Sequence, residues 1–448
     1  MYKISSTMDT GTGRHRRWIP ATCLALTVGL GTGSTPAAEL PVVYEGQKLL
    51  ASDLDSKDNF GTSLALEGDT LLVGAPDARG CDGCSQGGQA YLYSREGGMW
   101  NEIAVLKGSE TGTFDRFGVA VALAGDLAFV GAHEPSSGHL IGKGRLGDEG
   151  TGKVYVFENG VEVARLAPSD GDRGDEFGEG LAVSGKTLFV AAPKASYPGG
   201  GGASWAGRVY VFEQGPGGAD DWTEVDQLSL PFVPEEAFEE FGWKLAADGD
   251  TLFVTSIGNN VPPAVDKVVW VHRRDAAGVW RLEEILGSSD QEINAGFGDA
   301  LAIDGDRAII GASLADSEFP NKGAAYVFER DAGGNWREVT KLQENIENIA
   351  RYGLGVDIDG DVAVVGARGA IYSRGAAFVY HKNQGGPDQW GLVSLLLASD
   401  GENADELGNS VAIDGLTVTV GARNDDDACG PGGSQNCDSG AVYVFGEL

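Results

Sequence analysis

Beyond residue 40, apolar and polar positions alternate with a period of two over short runs, each run bounded by Gly, Asp and Ser. The run Ser63-Leu-Ala-Leu-Glu67 is followed by a Gly-Asp turn and then by Leu71-Leu-Val-Gly-Ala-Pro76. Alternation on both sides of a two-residue turn predicts a β-hairpin. A polar loop of variable length then leads to a third strand of β-branched and aromatic residues, as in Val154-Tyr-Val-Phe157, Val209-Tyr-Val-Phe212, Ala325-Tyr-Val-Phe328 and Val442-Tyr-Val-Phe445. A tryptophan opens a fourth strand at Trp100, Trp222, Trp280, Trp336 and Trp390. No helical period is sustained anywhere in this part of the chain.

The same order of strands recurs. An aromatic or apolar residue followed by Gly stands at Phe60-Gly61, Phe117-Gly118, Phe177-Gly178, Phe241-Gly242, Phe297-Gly298, Tyr352-Gly353 and Leu407-Gly408, in steps of 57, 60, 64, 56, 55 and 55 residues. Seven units of four strands predict an all-β fold, a seven-bladed β-propeller with its blades around a central channel. The repeated aromatics read as packing between blades. The last unit stops after its third strand, while the segment from Val43 to Leu50 forms a strand without a unit. Ala51-Ser52-Asp53 after it matches Ala398-Ser399-Asp400 after the fourth strand of unit six. The N-terminal strand is therefore expected to complete the last blade, which closes the ring and removes two open sheet edges.

Charge and cysteine content narrow the setting. Arg14, Arg16 and Arg17 precede an apolar stretch from Trp18 to about Leu30, with Pro36-Ala37-Ala38 after it, the layout of a secretory signal peptide over residues 1–38. The propeller then occupies residues 39–448, and the chain is expected to be secreted, periplasmic or at the cell surface, with no membrane insertion once the signal is removed. Loss of Lys3, Arg14, Arg16, Arg17 and Asp9 with that leader takes the formal charge from −33 to −36. Such a field repels phosphate backbones and argues against nucleic acid as a partner. Cys81, Cys84, Cys429 and Cys437 remain, an even number in an exported chain, and suggest two disulfides. Local pairs, bridges between the loops of units one and seven, and a four-cysteine zinc site are the arrangements to weigh.

The Phe-Gly to Gly-Ala-Pro pattern is clearest in unit one, Phe60-Gly61 to Gly74-Ala75-Pro76. It continues through Gly131-Ala132, Ala191-Ala192-Pro193, Gly311-Ala312, Gly366-Ala367 and Gly421-Ala422; unit four departs from it with Thr255-Ser256-Ile257. Over residues 42–448 the chain resembles the FG-GAP repeat family, which includes the propeller head of integrin α subunits. The resemblance implies extracellular recognition or adhesion. It also implies calcium where an Asp-rich loop lies between Phe-Gly and Gly-Ala-Pro, but here that span holds only tight turns such as Asp304-Gly305-Asp306, too short for six to eight oxygen ligands.

Another acidic pattern precedes the Phe-Gly: Asp53, Asp55 and Asp58; Asp170, Asp172 and Asp175; Asp400, Glu402 and Asp405. These carboxylates offer a possible calcium shell, or they fix the turn by accepting backbone N–H groups. Arg173-Gly174-Asp175 spells a cell-attachment tripeptide, yet its Asp175 already belongs to this turn. The loops after the second strands are the most variable and form the expected recognition face for an extracellular protein or glycan, with His133, Trp205, Arg368, Arg423, Asp425, Asp426 and Asp427 on it. Arg368 and Arg423 stand where Pro76 follows Gly-Ala; they suit an anionic ligand or pair with neighbouring acids. No nucleophile elbow, phosphate loop or His-Glu-x-x-His helix is present, so catalytic residues are not assigned. A non-enzymatic recognition module is the leading reading; a polysaccharide-active enzyme with its site at the channel mouth and a structural surface protein are the alternatives.

Overall fold

The computed structural model describes residues 41–53, 55–80, 86–133, 150–196, 205–231, 239–257, 267–290, 292, 294–316, 322–344, 349–426 and 438–446, together with the backbone of Leu24–Leu26 and Leu40. The four cysteines considered above and Asp427 lie outside these residues, as does most of the expected leader.

Seven antiparallel sheets follow one another in chain order. Blade one contains Ser63–Glu67, Thr70–Ala75, Gln89–Glu96 and Met99–Leu106, hydrogen-bonded in that order from the channel outward. Second and third strands are buried almost throughout, whereas fourth strands alternate buried and exposed residues, the pattern of an outermost strand with one wet face. In six blades a register shift falls at the same place between third and fourth strands, for example at Leu92/Tyr93 and Val327/Phe328. A bulge there increases the twist that each blade needs to fan out from the axis.

Blade seven contains Ser410–Asp414, Thr417–Ala422 and Ala441–Phe445 and is completed by Gln47–Leu49, which runs antiparallel to Ala441–Phe445 with Leu49 opposite Val442. The ring closes as the sequence predicts, but with a shorter strand. Val43 and Tyr44, expected in the closing strand, belong instead to Leu40–Tyr44, which pairs in parallel with Trp390–Leu397 on blade six. The backbone of Leu24–Leu26 pairs with Leu40–Val42, so blade six carries six strands rather than four. Glu45 and Gly46 carry the chain from one blade to the next.

The repeated Phe-Gly and Gly-Ala pairs meet across blade interfaces. In six interfaces the Phe, Tyr or Leu donates its N–H to the preceding blade just before that blade's third strand, as in Phe177 to Thr151 O at 2.8 Å and Leu407 to Arg374 O at 3.0 Å. The following Gly instead donates to its own blade, Gly178 to Ala191 O at 2.9 Å. Gly178 has φ +93°, and a Cβ on Gly131 would overlap its carbonyl oxygen. The two backbones approach too closely for any side chain, which explains why both positions are glycine. Thr255, in the unit that departs from the pattern, packs on Gly298 and donates its hydroxyl to Gly298 O at 3.0 Å. The ring of each Phe sits edge-on to a third-strand aromatic, a tyrosine in four blades, 5.3 Å between centroids for Phe60 and Tyr91 and for Phe177 and Tyr210, and Trp270 in the blade of Phe241. Trp222, Trp280 and Trp336 cover Phe129, Phe189 and Phe253 of the preceding blade at 4.9 to 5.3 Å. These aromatics are the inter-blade core.

Candidate functional site

Each expected acidic turn divides its work between its acids. Asp58, Asp175 and Asp405 are buried and accept the N–H of the residue three before them: Asp55 at 2.6 Å, Asp172 at 2.7 Å and Glu402 at 2.5 Å. Asp115 does the same for Gly112 at 2.5 Å. Burial, only partly offset by that hydrogen bond, raises Asp58 to about 6 and Asp405 to about 7, and raises Asp175.

The first acid of each turn reaches the next blade. Asp53, Asp170 and Asp400 accept from the third-strand hydroxyls of Tyr91, Tyr210 and Tyr443 at 2.8, 3.0 and 2.8 Å. Burial pushes Asp170 and Asp400 upward, but hydrogen bonds from Arg208, Tyr210 and Gln227 to the one, and from Tyr443 and Lys48 to the other, outweigh it and hold both below the usual range. The middle acids Asp55, Asp172 and Glu402 are exposed. The first and last acids of each turn thus hold the turn and the neighbouring blade.

The serine before the first acid makes a clasp that the sequence reading did not anticipate. Ser52, Ser109, Ser169, Ser289 and Ser399 each donate both N–H and hydroxyl to one carboxylate: Glu102, Glu162, Glu224 and Glu338 on the next blade's fourth strand, and, for Ser399, Glu45 just before the closing strand. The distances run from 2.5 to 2.9 Å. The recurrent Ser-Asp/Glu and a Glu on the outer strand were its signal. At the opposite rim, five blades have an acid before the hairpin Gly that accepts the next blade's hairpin amide: Asp414 from Gly68 at 2.5 Å, Glu67 from Gly125 at 3.0 Å, Asp248 from Gly305 at 2.7 Å, Asp304 from Gly360 and Asp359 from Gly415 at 2.6 Å; the other two have Ala124 and Ser184. This rim ends a cavity of about 710 Å³ along the channel, walled by the first strands of all seven blades. Asp357 on that wall accepts the N–H groups of Ile358 and Ile413, and burial raises it to about 7.

At the variable-loop mouth the equivalent positions vary between blades: Pro76 and Pro193, Arg368 and Arg423, and His133, Ile257 and Ser313. Arg368 and Arg423 both reach Glu406, at 3.5 and 3.3 Å, the pairing with a neighbouring acid that the sequence allowed. Burial lowers Arg368, as do the nearby positive charges of Arg423 and Arg351, against the pull of Glu406. Two arginines thus share one glutamate in a strongly acidic chain, with the charge of Arg351 near Arg368; Arg351 and Glu406, which immediately precede Tyr352 and Leu407, were not anticipated.

Trp205 is exposed, with Lys194 Nζ 5.0 Å from its ring centre. Two expected surface residues are buried. Asp425, 2% exposed, accepts from Tyr443 at 2.6 Å and from Lys48 at 2.9 Å, so it fixes the closure strand rather than facing solvent. Asp426 beside it is partly exposed. His133, 5% exposed, lies under the Glu176-Phe177-Gly178-Glu179 turn of blade three, and burial lowers it to about 4. Asp175 of the cell-attachment tripeptide is buried at its turn hydrogen bond.

The architecture defines a seven-bladed propeller whose repeated Phe-Gly and Gly-Ala pairs lock neighbouring blades. Sequence comparison matches the FG-GAP repeat family over residues 44–93, 100–157, 161–212, 280–328 and 390–445, more than half of the chain, and the chain belongs to that family. A search of curated proteins finds no match. A solved structure of a Lactobacillus plantarum protein is similar at 12% identity and a TM-score of 0.48, with 84% of this chain and 96% of that one covered. Among the described residues no helix is long and apolar enough to cross a membrane.

Proposed function

We propose that this chain is an exported recognition or adhesion module that binds an extracellular protein or glycan on its variable-loop face. The observation that carries this reading is the pair Arg368 and Arg423 on the single carboxylate of Glu406, with the charge of Arg351 beside Arg368. In a chain of formal charge −33, a local excess of guanidinium at the channel mouth is suited to a carboxylate or sulfate group, which an arginine fork meets with two parallel hydrogen bonds. Membership of a repeat family whose resemblance includes integrin heads points the same way, as an analogy of fold.

An array of acidic and neutral glycans and of extracellular matrix proteins, probed with the mature chain and with the R368A/R423A double variant, tests the reading. Binding to acidic members should weaken with added salt and fall at least about tenfold in the variant, roughly 1.4 kcal/mol. Unchanged binding by a variant that still unfolds cooperatively would remove the arginine mouth as the recognition site.

A further inference from the structure

The interface between blades two and three holds a cluster unlike its six counterparts. At this interface, the residue after Gly-Ala of one blade faces the two residues that flank the Phe-Gly of the next. Elsewhere the first of these positions is Pro76, Pro193, Ile257, Ser313, Arg368 or Arg423. Here it is His133, and the flanking residues are Glu176 and Glu179. The turn Glu179 N–H to Glu176 O, at 3.2 Å, with Glu176 at φ +59°, sets both glutamates beside the imidazole.

Among the described residues this is the one trio whose potential ligand atoms lie within 4.8 Å of one another. His133 is 5% and Glu176 6% exposed. His133 Nδ1 lies 3.2 Å from Glu179 Oε2, yet neither imidazole nitrogen nor that oxygen has a hydrogen bond. Buried polar atoms left in this way are destabilising by about 1–3 kcal/mol each. No other interface among the described residues repeats the trio, so closure of the ring does not require it. An imidazole nitrogen and a carboxylate oxygen facing each other at 3.2 Å are spaced like two ligands on one tetrahedral ion, whose metal bonds are about 2.0–2.2 Å.

We propose that His133, Glu176 and Glu179 bind a divalent transition-metal cation of the zinc class. An imidazole beside two carboxylates favours zinc, cobalt or nickel over calcium, which prefers oxygen ligands alone. The two carboxylates balance the ion's charge. Glu176 Oε1 accepts an ion pair from Lys194 Nζ at 2.7 Å, so Glu176 can keep that partner and offer its second oxygen. Three protein ligands leave a fourth position for water or for an oxygen of a bound ligand.

Cobalt(II) titration of the full mature chain, read by visible absorption, and zinc calorimetry test the site. One tetrahedral cobalt per chain is expected, without thiolate charge-transfer bands, displaced by stoichiometric zinc but not by equimolar calcium. His133→Ala and Glu179→Gln should each weaken zinc binding about 100-fold or more, while zinc raises the melting temperature of the unmodified chain only. Equal zinc affinity in the unmodified chain and both variants, or thiolate bands, would overturn the proposal by assigning the ion to surface acids or cysteines. The unmodified chain also decides alone: with no zinc-dependent shift in its melting temperature the site does not exist, whether or not the variants fold.

Discussion

The two ends of the channel are built from the same seven units, and they use their side chains in opposite ways. At the hairpin rim, Asp248, Asp304, Asp359 and Asp414 repeat one contact, a carboxylate accepting the next blade's hairpin amide. At the variable-loop mouth, equivalent positions carry His133, Ile257, Ser313, Arg368 or Arg423, and their contacts differ from blade to blade. Within one chain the blades serve as internal controls: what every blade repeats serves closure of the ring, and what a single blade introduces is surplus to it. By that measure the buried acids of the turns serve closure of the ring, and the His133 and Arg368 neighbourhoods stand out.

The largest effect should come from crowding a blade interface. Gly131→Val places a side chain against the Gly178 carbonyl and is expected to destabilise by about 3 kcal/mol. Gly125→Ala, at the hairpin turn with open space around it and φ +57°, should cost only about 1 kcal/mol. Denaturant midpoints compare the two, and equal losses would mean that the close approach of blades is not what demands glycine. Next in size is a contrast of glutamates. Glu224→Gln weakens the double acceptance from Ser169 and should cost about 1 kcal/mol. Glu406→Gln at the mouth should change stability less, because its ion pairs with Arg368 and Arg423 are long and partly solvated, yet it should tighten binding of acidic glycans. A loss of both stability and binding in Glu406→Gln would make the arginine cluster another closure device.

The last contrast is one of pH. Asp357 on the channel wall is raised to about 7 by burial, so its favourable contribution is complete below the ordinary value near 3.8 and is lost as pH rises through 7. Asp357→Asn should therefore gain stability relative to the unmodified chain between pH 4 and 8, seen as a widening difference in melting temperature. A pH-independent difference would show that channel water hydrates the carboxylate.

The fold was legible because the period-two alternation, the Phe-Gly spacing and the Ala-Ser-Asp match at the two ends each reported a local rule repeated seven times. The attachment of Leu40–Tyr44 to blade six was not, since alternation says which faces are apolar and not which neighbour a short strand will join. His133 and Asp425 read as surface residues because they follow second strands into variable loops. Their burial depends on contacts from sequence-distant segments, the Phe177 turn and Lys48 respectively. Comparing the units at fixed offsets from Phe-Gly, rather than scanning for familiar metal-binding loops, would have brought His133, Glu176 and Glu179 together.

The crossing at Glu45 also bears on how the molecule is made. Glu45 holds Ser399, 354 residues away, and Lys48 holds Asp425, 377 residues away, so the closing strand, among the first of the propeller to be synthesised, is among the last to find its place. Until then the outer edge of Ala441–Phe445 has no neighbour. Contacts of such long range slow folding and leave an adhesive edge open in the meantime. Assembly of this ring is thus governed by the wait of one short segment for nearly the whole chain, a vulnerable interval in which a holding chaperone would act.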